Sequence, residues 1–403
     1  MVDRERHRTV AAPKGRRNGA PPELRVAHFA QIESANIRFG DLTVLVGPQA
    51  TGKSLLLQWL KVAIDSGEVV HALQEAGHDT STVENLIDLI FGEGMSSAWV
   101  EGKTAVSFGG RRLHPRAWTR GVKKAGGAVF FVPAHRALLL AEGWPAPFSK
   151  LNADTPVVAR LFSQNLYQRF SGQQSKALFP VERTLKEQYR DLIDQAVFHG
   201  AQIALEKEGL RYRLRLHYKT GAKLPFMTWT AGQREFTPLL LGLYHVLPAR
   251  KEKKRADIDW VIVEEPEMGL HPHAIEVFML LVLDLLWRGY RVVLSTHSPL
   301  VLEVIWGIRQ LSKIGAPWQS LCDSFGVRGS KAVKLVMEHA LKADYRVYFH
   351  DIDNRTGHVT TRDISALDPD SPAESEADWG GLTRFSSRVG AAVRDAVNKA
   401  EEL

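Results

Sequence analysis

Eight consecutive residues, Gly47-Pro48-Gln49-Ala50-Thr51-Gly52-Lys53-Ser54, hold the densest chemistry in the chain. Two glycines let the backbone turn tightly, so that successive N–H groups converge on one small volume. A lysine and a hydroxyl directly after the second glycine add a mobile cation and a metal-ligating oxygen. This layout suits a polyphosphate: amides of Gly47, Gln49, Ala50, Thr51 and Gly52 around the β-phosphate, Lys53 on the β- and γ-phosphates, and Ser54 on Mg²⁺. It requires a strand before it and a helix after it. The all-apolar run Leu42–Val46 predicts a buried strand, and Leu55, Leu56, Leu57, Trp59 and Leu60 predict a helix that begins near Lys53.

A second acidic element lies far downstream. Trp260-Val261-Ile262-Val263 reads as a buried strand that runs into Glu264-Glu265-Pro266-Glu267. Carboxylates at the carboxyl end of a parallel strand can hold a metal and orient a water beside a phosphate loop. Glu264 is the expected metal holder and Glu265 the residue that polarises water. Thr230-Ala231-Gly232-Gln233 opens a predicted helix with small residues, where free N–H groups could meet a γ-phosphate; Thr230 could equally serve as an ordinary cap. Val292–Ser295 reads as a neighbouring strand, and His297 after it is expected to contact phosphate.

The elements that must position these groups are legible in outline. Short strands are expected around 24–29 and 34–38, a helix at 83–91 and strands near 104–108 and 128–132. Two helices are expected within 155–200, and the 260–263 and 292–295 strands should be parallel, joined by a helix over 273–287. Leu210–Lys219 alternates Arg211, Arg213, Arg215 and His217 with Tyr212, Leu214, Leu216 and Tyr218, the pattern of a half-buried strand with a basic outer face. The expected organisation is a disordered basic tail (1–22), a nucleotide-binding core (23–310) with insertions at about 66–127 and, helical, about 137–209, and a C-terminal α/β extension (311–403).

Composition narrows the class. A chain of 403 residues with 44% hydrophobic and 24% charged content is neither disordered nor fibrous. The net charge of +7 hints at a polyanion, but residues 1–20 hold six basic against two acidic side chains, so +4 of it sits in the tail. One cysteine, Cys322, excludes an intrachain disulfide framework and fits a reducing compartment. No apolar run approaches a membrane span and no secretory signal is visible, so a cytoplasmic location without membrane contact is expected.

Taken in order, these four motifs resemble the Walker A, signature, Walker B and switch-histidine elements of ABC-type ATPases. The strings ANIRFGDLTVLVGPQATGKS, VEEPEMGLHP and LSTHSP point to the non-transporter branch: SMC-like and RecF-like ATPases, the overcoming-lysogenisation-defect (OLD) proteins and their anti-phage defence relatives. The likeness covers about a third of the chain. It implies an α/β P-loop NTPase fold of ABC ATPase type, with a mixed-sheet core, a helical insertion and a C-terminal α+β extension. It also implies ATP and Mg²⁺ as ligands and a head-to-head dimer or higher homo-oligomer, in which Thr230, Ala231, Gly232 and Gln233 complete the partner's site. By the same likeness Glu265 is the catalytic base and His297 a γ-phosphate contact. The expected function is a hydrolysing switch ATPase of anti-phage defence, acting with a separate effector such as a nuclease or toxin. The alternatives are a RecF- or SMC-like repair ATPase that binds DNA, and a nucleotide-bound scaffold with little turnover.

Other signals stay open or weak. Thr-Ala-Gly-Gln stands where Ser-Gly-Gly-Gln is common, and Glu264 stands in place of Asp. Gln164 and Gln173 are candidates for a glutamine loop, and Arg136 for either a nucleotide-sensing or interface role or a buried structural one. Asp351-Ile352-Asp353 superficially fits the metal pair of a Toprim nuclease but reads better as a hairpin turn. The Arg211, Arg213 and Arg215 face with Arg111, Arg112, Arg116, Arg120, Lys123 and Lys124 could line a polyanion groove, with solvated surface the more ordinary reading, while the basic 250–255 loop reads as a solvated turn; no aromatic interleaving of the single-strand-binding kind accompanies them.

Overall fold

The computed structural model describes residues 21–119, 126–170, 176–181, 185–209, 211–247 and 253–401. Nearly all of the expected tail, together with Arg120, Lys123, Lys124, Gln173 and Arg250, lies outside the described residues. In chain order, β1 (Glu23–Phe29), β2 (Ile32–Arg38) and β3 (Leu42–Val46) precede α1 (Lys53–Glu75) and α2 (Val83–Phe91). β4 (Ala105–Phe108), β5 (Arg111–Arg112), α3 (Pro115–Trp118) and β6 (Val129–Val132) follow. Next come α4 (Val157–Phe170), β7 (Lys176–Phe179), α5 (Glu187–Ile193), β8 (Gln202–Glu208), β9 (Arg211–His217), β10 (Lys223–Pro225) and α6 (Ala231–Val246). β11 (Trp260–Glu264), α7 (Pro272–Arg288), β12 (Arg291–Ser295) and α8 (Pro299–Lys313) then alternate. The chain closes with α9 (Trp318–Ser324), α10 (Lys331–Ala340), β13 (Tyr345–Ile352), β14 (Val359–Asp363), α11 (Glu374–Ala377) and α12 (Arg384–Glu401).

Ten strands form one mixed sheet in the order β5-β4-β1-β2-β14-β13-β3-β12-β11-β6. The β13-β3-β12-β11-β6 half is parallel, while β5, β4, β1 and β2 pair antiparallel. Strand residues alternate between the two faces, as a period of two requires. Leu42, Val44 and Val46 face one core with Val261, Val263, Val292 and Leu294, under α6, α7, α8 and α10. Leu45, Ile262, Val293 and Tyr348 face the other, against Leu56, Leu57, Trp59 and Leu60 of α1 and Leu86, Ile87 and Ile90 of α2. A helix on each face explains why these central strands are apolar throughout.

Two expectations change on inspection of the topology. The insertion expected to be helical holds α4 and α5, but β7 and β8 as well; these join β9 and β10 in a separate four-stranded antiparallel sheet. β7 is only four residues long, too short to show periodicity beside the longer helical patterns. The C-terminal stretch, expected as an extension, sends β13 and β14 into the middle of the main sheet, between β3 and β2. Asp351 and Asp353 belong to the hairpin these strands form. Asp351 pairs with Arg362 at 2.6 Å, and Asp353 accepts from the Arg355 amide at 2.8 Å. The expected parallel pair β11 and β12, with α7 between them, is present.

Candidate functional site

Because β3, β11, β12 and β13 run parallel and in register, their carboxyl ends meet at one edge of the sheet. Leu45 lies opposite Ser295, Ser295 opposite Glu264, and Val46 opposite Phe349. The residues that follow each strand therefore converge where ligands of open α/β sheets bind. This brings together Gly47–Ser54, Glu264–Glu267 and Thr296–His297, as the motif spacing implied.

The loop from Gly47 to Gly52 turns through left-handed backbone at Ala50 (φ 60°) and Gly52 (φ 77°). Gly52 has no room for a side chain, since an added Cβ would lie 2.9 Å from Ile32 Cγ1. Gln31, in the β1–β2 turn, donates its amide to Ala50 O at 2.8 Å and braces the loop from outside. Lys53 is buried and folds back, donating to Gly47 O at 2.9 Å and Pro48 O at 2.7 Å. Burial lowers its ammonium to about 8, against the opposing pull of Glu265 and Glu267.

The acidic side is organised by three carboxylates with different surroundings. Glu264 is buried and accepts from the Ala134 amide at 3.2 Å through one oxygen, while its other oxygen, Oε1, has no partner. Burial pushes its carboxyl up to about 7, although hydrogen bonds from Ala134 and from the Ser54 hydroxyl oppose the shift. Glu265 is half-exposed, with Oε1 3.4 Å from His297 Nε2. That contact holds its carboxyl below the ordinary range in spite of partial burial. Glu267 accepts from Thr296 Oγ1 at 2.8 Å and from the His297 amide at 2.5 Å, tying the β12 end to the β11 end.

Glu265 occupies the left-handed region at φ 41°, a conformation that costs about 1–3 kcal/mol for a non-glycine residue. Two contacts hold it there. Its amide donates to Ser295 O at 2.9 Å, and Arg136 donates to the carbonyls of Glu264, Glu265 and Pro266 at 3.2, 3.3 and 3.2 Å. Arg136 is fully buried and also donates to Glu235 O at 3.1 Å. Of its two candidate roles the structure selects the buried one: Arg136 shapes the turn that presents Glu265. Gln164 likewise has a local task, accepting from the Phe148 amide at 2.8 Å.

Thr230–Gln233 forms a capping box at the start of α6. Thr230 Oγ1 accepts from the Gln233 amide at 3.4 Å, and Gln233 Oε1 accepts from the Thr230 amide at 3.2 Å. Thr230 and Ala231 are exposed and Gln233 is buried. The two side chains are thus engaged in their own helix, which leaves the Ala231 and Gly232 amides as the donors this end can offer.

A buried carboxylate in reach of a hydroxyl is an arrangement that suits a hard cation. The Glu264 carboxylate, with Oε1 left without a partner, and the Ser54 hydroxyl that bonds to this carboxylate form an all-oxygen donor set that fits Mg²⁺. Sequence reasoning did not single out Glu267, Gln31 or His350 as site residues. Glu267 stood within the quoted acidic string; Gln31 and His350 gave no local signal.

Residues 130–303 match the family model described as "AAA domain, putative AbiEii toxin, Type IV TA system". Over this stretch the chain is similar to AAA-type domains. The matched stretch runs from β6 into α8 and so contains Arg136, Thr230–Gln233, Glu264–Glu267 and His297, while Gly47–Ser54 lies upstream of it. The expected likeness to AAA-family ATPases is borne out over these residues. No curated protein matches the chain. Among solved structures it is similar to the SMC head domain from Thermotoga maritima, with 13% identity, 86% of this chain and 99% of that one covered, and a TM-score of 0.36. It is also similar to an Smc head domain with an extended coiled coil bound to the C-terminal domain of ScpA, from Pyrococcus furiosus, with 10% identity, coverages of 85% and 96% and a TM-score of 0.38. Among the described residues no helix is long and apolar enough to cross a membrane.

Proposed function

We propose that this protein binds and hydrolyses ATP and acts as a nucleotide-dependent switch that pairs head to head with a second copy. The observation that carries the reading is the convergence of Lys53, Ser54, Glu264, Glu265 and His297 at one sheet edge, with a desolvated carboxylate oxygen left without a partner. In this reading the Gly47–Lys53 amides and Lys53 bind the phosphates, and Ser54 and Glu264 hold Mg²⁺. Bound there, Mg²⁺ would neutralise charge on the β- and γ-phosphates. Glu265, kept ionised and oriented by His297, takes the proton of a water whose oxygen attacks the γ-phosphorus as the bond to the β-phosphate oxygen breaks. His297 faces the same γ-phosphate. The exposed start of α6, with its Ala231 and Gly232 amides, supports completion of the site by a second copy, since it offers donors outward.

A replacement of Glu265 by Gln tests the reading. It keeps the shape of the side chain, removes the base and should slow turnover on the order of 10²- to 10⁴-fold. With ATP and Mg²⁺ the variant should double in mass by light scattering. A variant that stays monomeric, or is oligomeric regardless of nucleotide, removes the switch. We place such a switch in anti-phage defence beside a separate nuclease or toxin effector, and a replication or repair gene as genomic neighbour would argue against that placement.

One observation favours the alternative in which the protein binds DNA. The fold gathers Trp144, Tyr167 and Tyr212 with Lys150, Arg211 and Arg213 around a groove of about 730 Å³. Aromatic faces beside cations suit a single strand, and Trp144 and Tyr167 reach these arginines only through the fold. Reversing Arg211 and Arg213 to Glu should abolish salt-sensitive oligonucleotide binding, measured by fluorescence anisotropy, if that reading holds.

A further inference from the structure

The phosphate loop rests on a strand that arrives three hundred residues later. β13 pairs with β3 in parallel, Phe349 opposite Val46, so His350 comes directly beside Gly47. An added Cβ on Gly47 would lie 2.8 Å from His350 O and 3.0 Å from His350 Cβ. The contact is therefore backbone to backbone, with no side chain between. His350 itself is fully buried, and its Nδ1 lies 3.0 Å from the Thr51 carbonyl oxygen. A carbonyl can only accept, so Nδ1 carries the proton and donates. The other ring nitrogen, Nε2, is buried without a partner.

We infer that His350 is a positioning residue of the nucleotide site: its Nδ1–H holds the Thr51 carbonyl and thereby fixes the loop geometry on which phosphate binding depends. The inference rests on the proposed role of Gly47–Ser54 as the phosphate loop. Thr51 is buried, so without His350 its carbonyl would face a polar-group deficit, and the loop would rotate to relieve it. Burial keeps the imidazole neutral, pulling it down to about 4, so it adds no positive charge against the Lys53 ammonium nearby. An Asn amide could reproduce the Nδ1 donor, whereas a Gln amide places its donor nearer the position of Nε2. The two amides therefore separate the hydrogen bond from mere packing.

The experiment titrates the full-length protein with a fluorescent ATP analogue and Mg²⁺, and measures KM and kcat for ATP alongside. His350→Ala and His350→Gln should each weaken binding about tenfold and raise KM in step, with kcat within about twofold of wild type. His350→Asn should recover binding to within about threefold of wild type. Wild-type affinity in His350→Ala overturns the inference, and so does His350→Asn binding as weakly as His350→Gln. Should His350→Ala fail to fold, the Asn and Gln pair decides alone. Lys53→Ala is carried in parallel. If it binds nucleotide normally, the phosphate-loop reading itself falls; if it loses binding while the His350 variants do not, only the role of His350 does.

Discussion

Helix α1 carries two buried lysines eight residues apart, and they differ in how completely their neighbours satisfy them. Lys61 donates to Asp65 at 2.7 Å, to Glu68 at 2.5 Å and to Val129 O at 2.9 Å. Asp65, set in a kink of the helix at φ −120°, accepts in turn from the Ala128 and Val129 amides, both at 2.8 Å. This group welds the helix to the start of β6. Among the described residues Lys53 donates only to oxygens of its own loop, although Glu265 and Glu267 lie close by. At the same sheet edge Glu264 Oε1, Glu267 Oε2 and Ser295 Oγ are buried without partners. Both regions bury charge, but one is closed on itself and the other is short of donors and cations. Burying polar groups without partners is costly, and a metal-bound polyphosphate would relieve it.

This contrast can be broken most severely at Asp65. Asp65→Ala strips a partner from Lys61 and the acceptor from two amides, so urea denaturation should show a loss of ~3–5 kcal/mol. The nucleotide affinity of the folded protein should stay near wild type. A loss below about 1 kcal/mol would mean that the closed group is not structural. Lys53→Ala should do the reverse. Nucleotide affinity falls on the order of 10²- to 10³-fold by titration, with little change in stability; retained ATP hydrolysis would sink the phosphate-loop assignment.

A subtler test uses pH. Glu264 has its carboxyl raised to about 7 in the fold from an ordinary 4.5. The folded protein therefore holds a proton that the unfolded chain releases between those values, and stability from this group declines as pH rises through that window. Glu264→Gln removes the decline. In the absence of nucleotide it should be more stable than wild type at pH 8 by up to ~3 kcal/mol, with the gain shrinking at pH 5. An equal difference at both pH values would show that the carboxyl is not desolvated as described.

Much of this was readable along the chain because it is local. A glycine-rich turn between an apolar strand and a helix needs no distant residue to be recognised, and neither do an acidic strand end or the alternation of β9. What could not be read depends on pairing. Arg136 offers a guanidinium to any partner; that it clamps the Glu264–Pro266 carbonyls follows from β6 lying beside β11. Trp144 and Tyr167 lie far along the chain from Arg211 and Arg213, and meet them only where β9 approaches the 138–151 segment.

The sequence by itself determined the kinds of group available, two glycines, a lysine, a hydroxyl, paired carboxylates and a histidine, and the short-range geometry that aims each one. Backbone sterics and hydrophobic periodicity act over a few residues, so they are written in a few residues. Only the tertiary structure decided that β13 lies next to β3, that His350 supports Thr51, and that one carboxylate is left hungry while another is paired. Those outcomes depend on strand register and desolvation, which are properties of the packed sheet and have no counterpart in the linear chain.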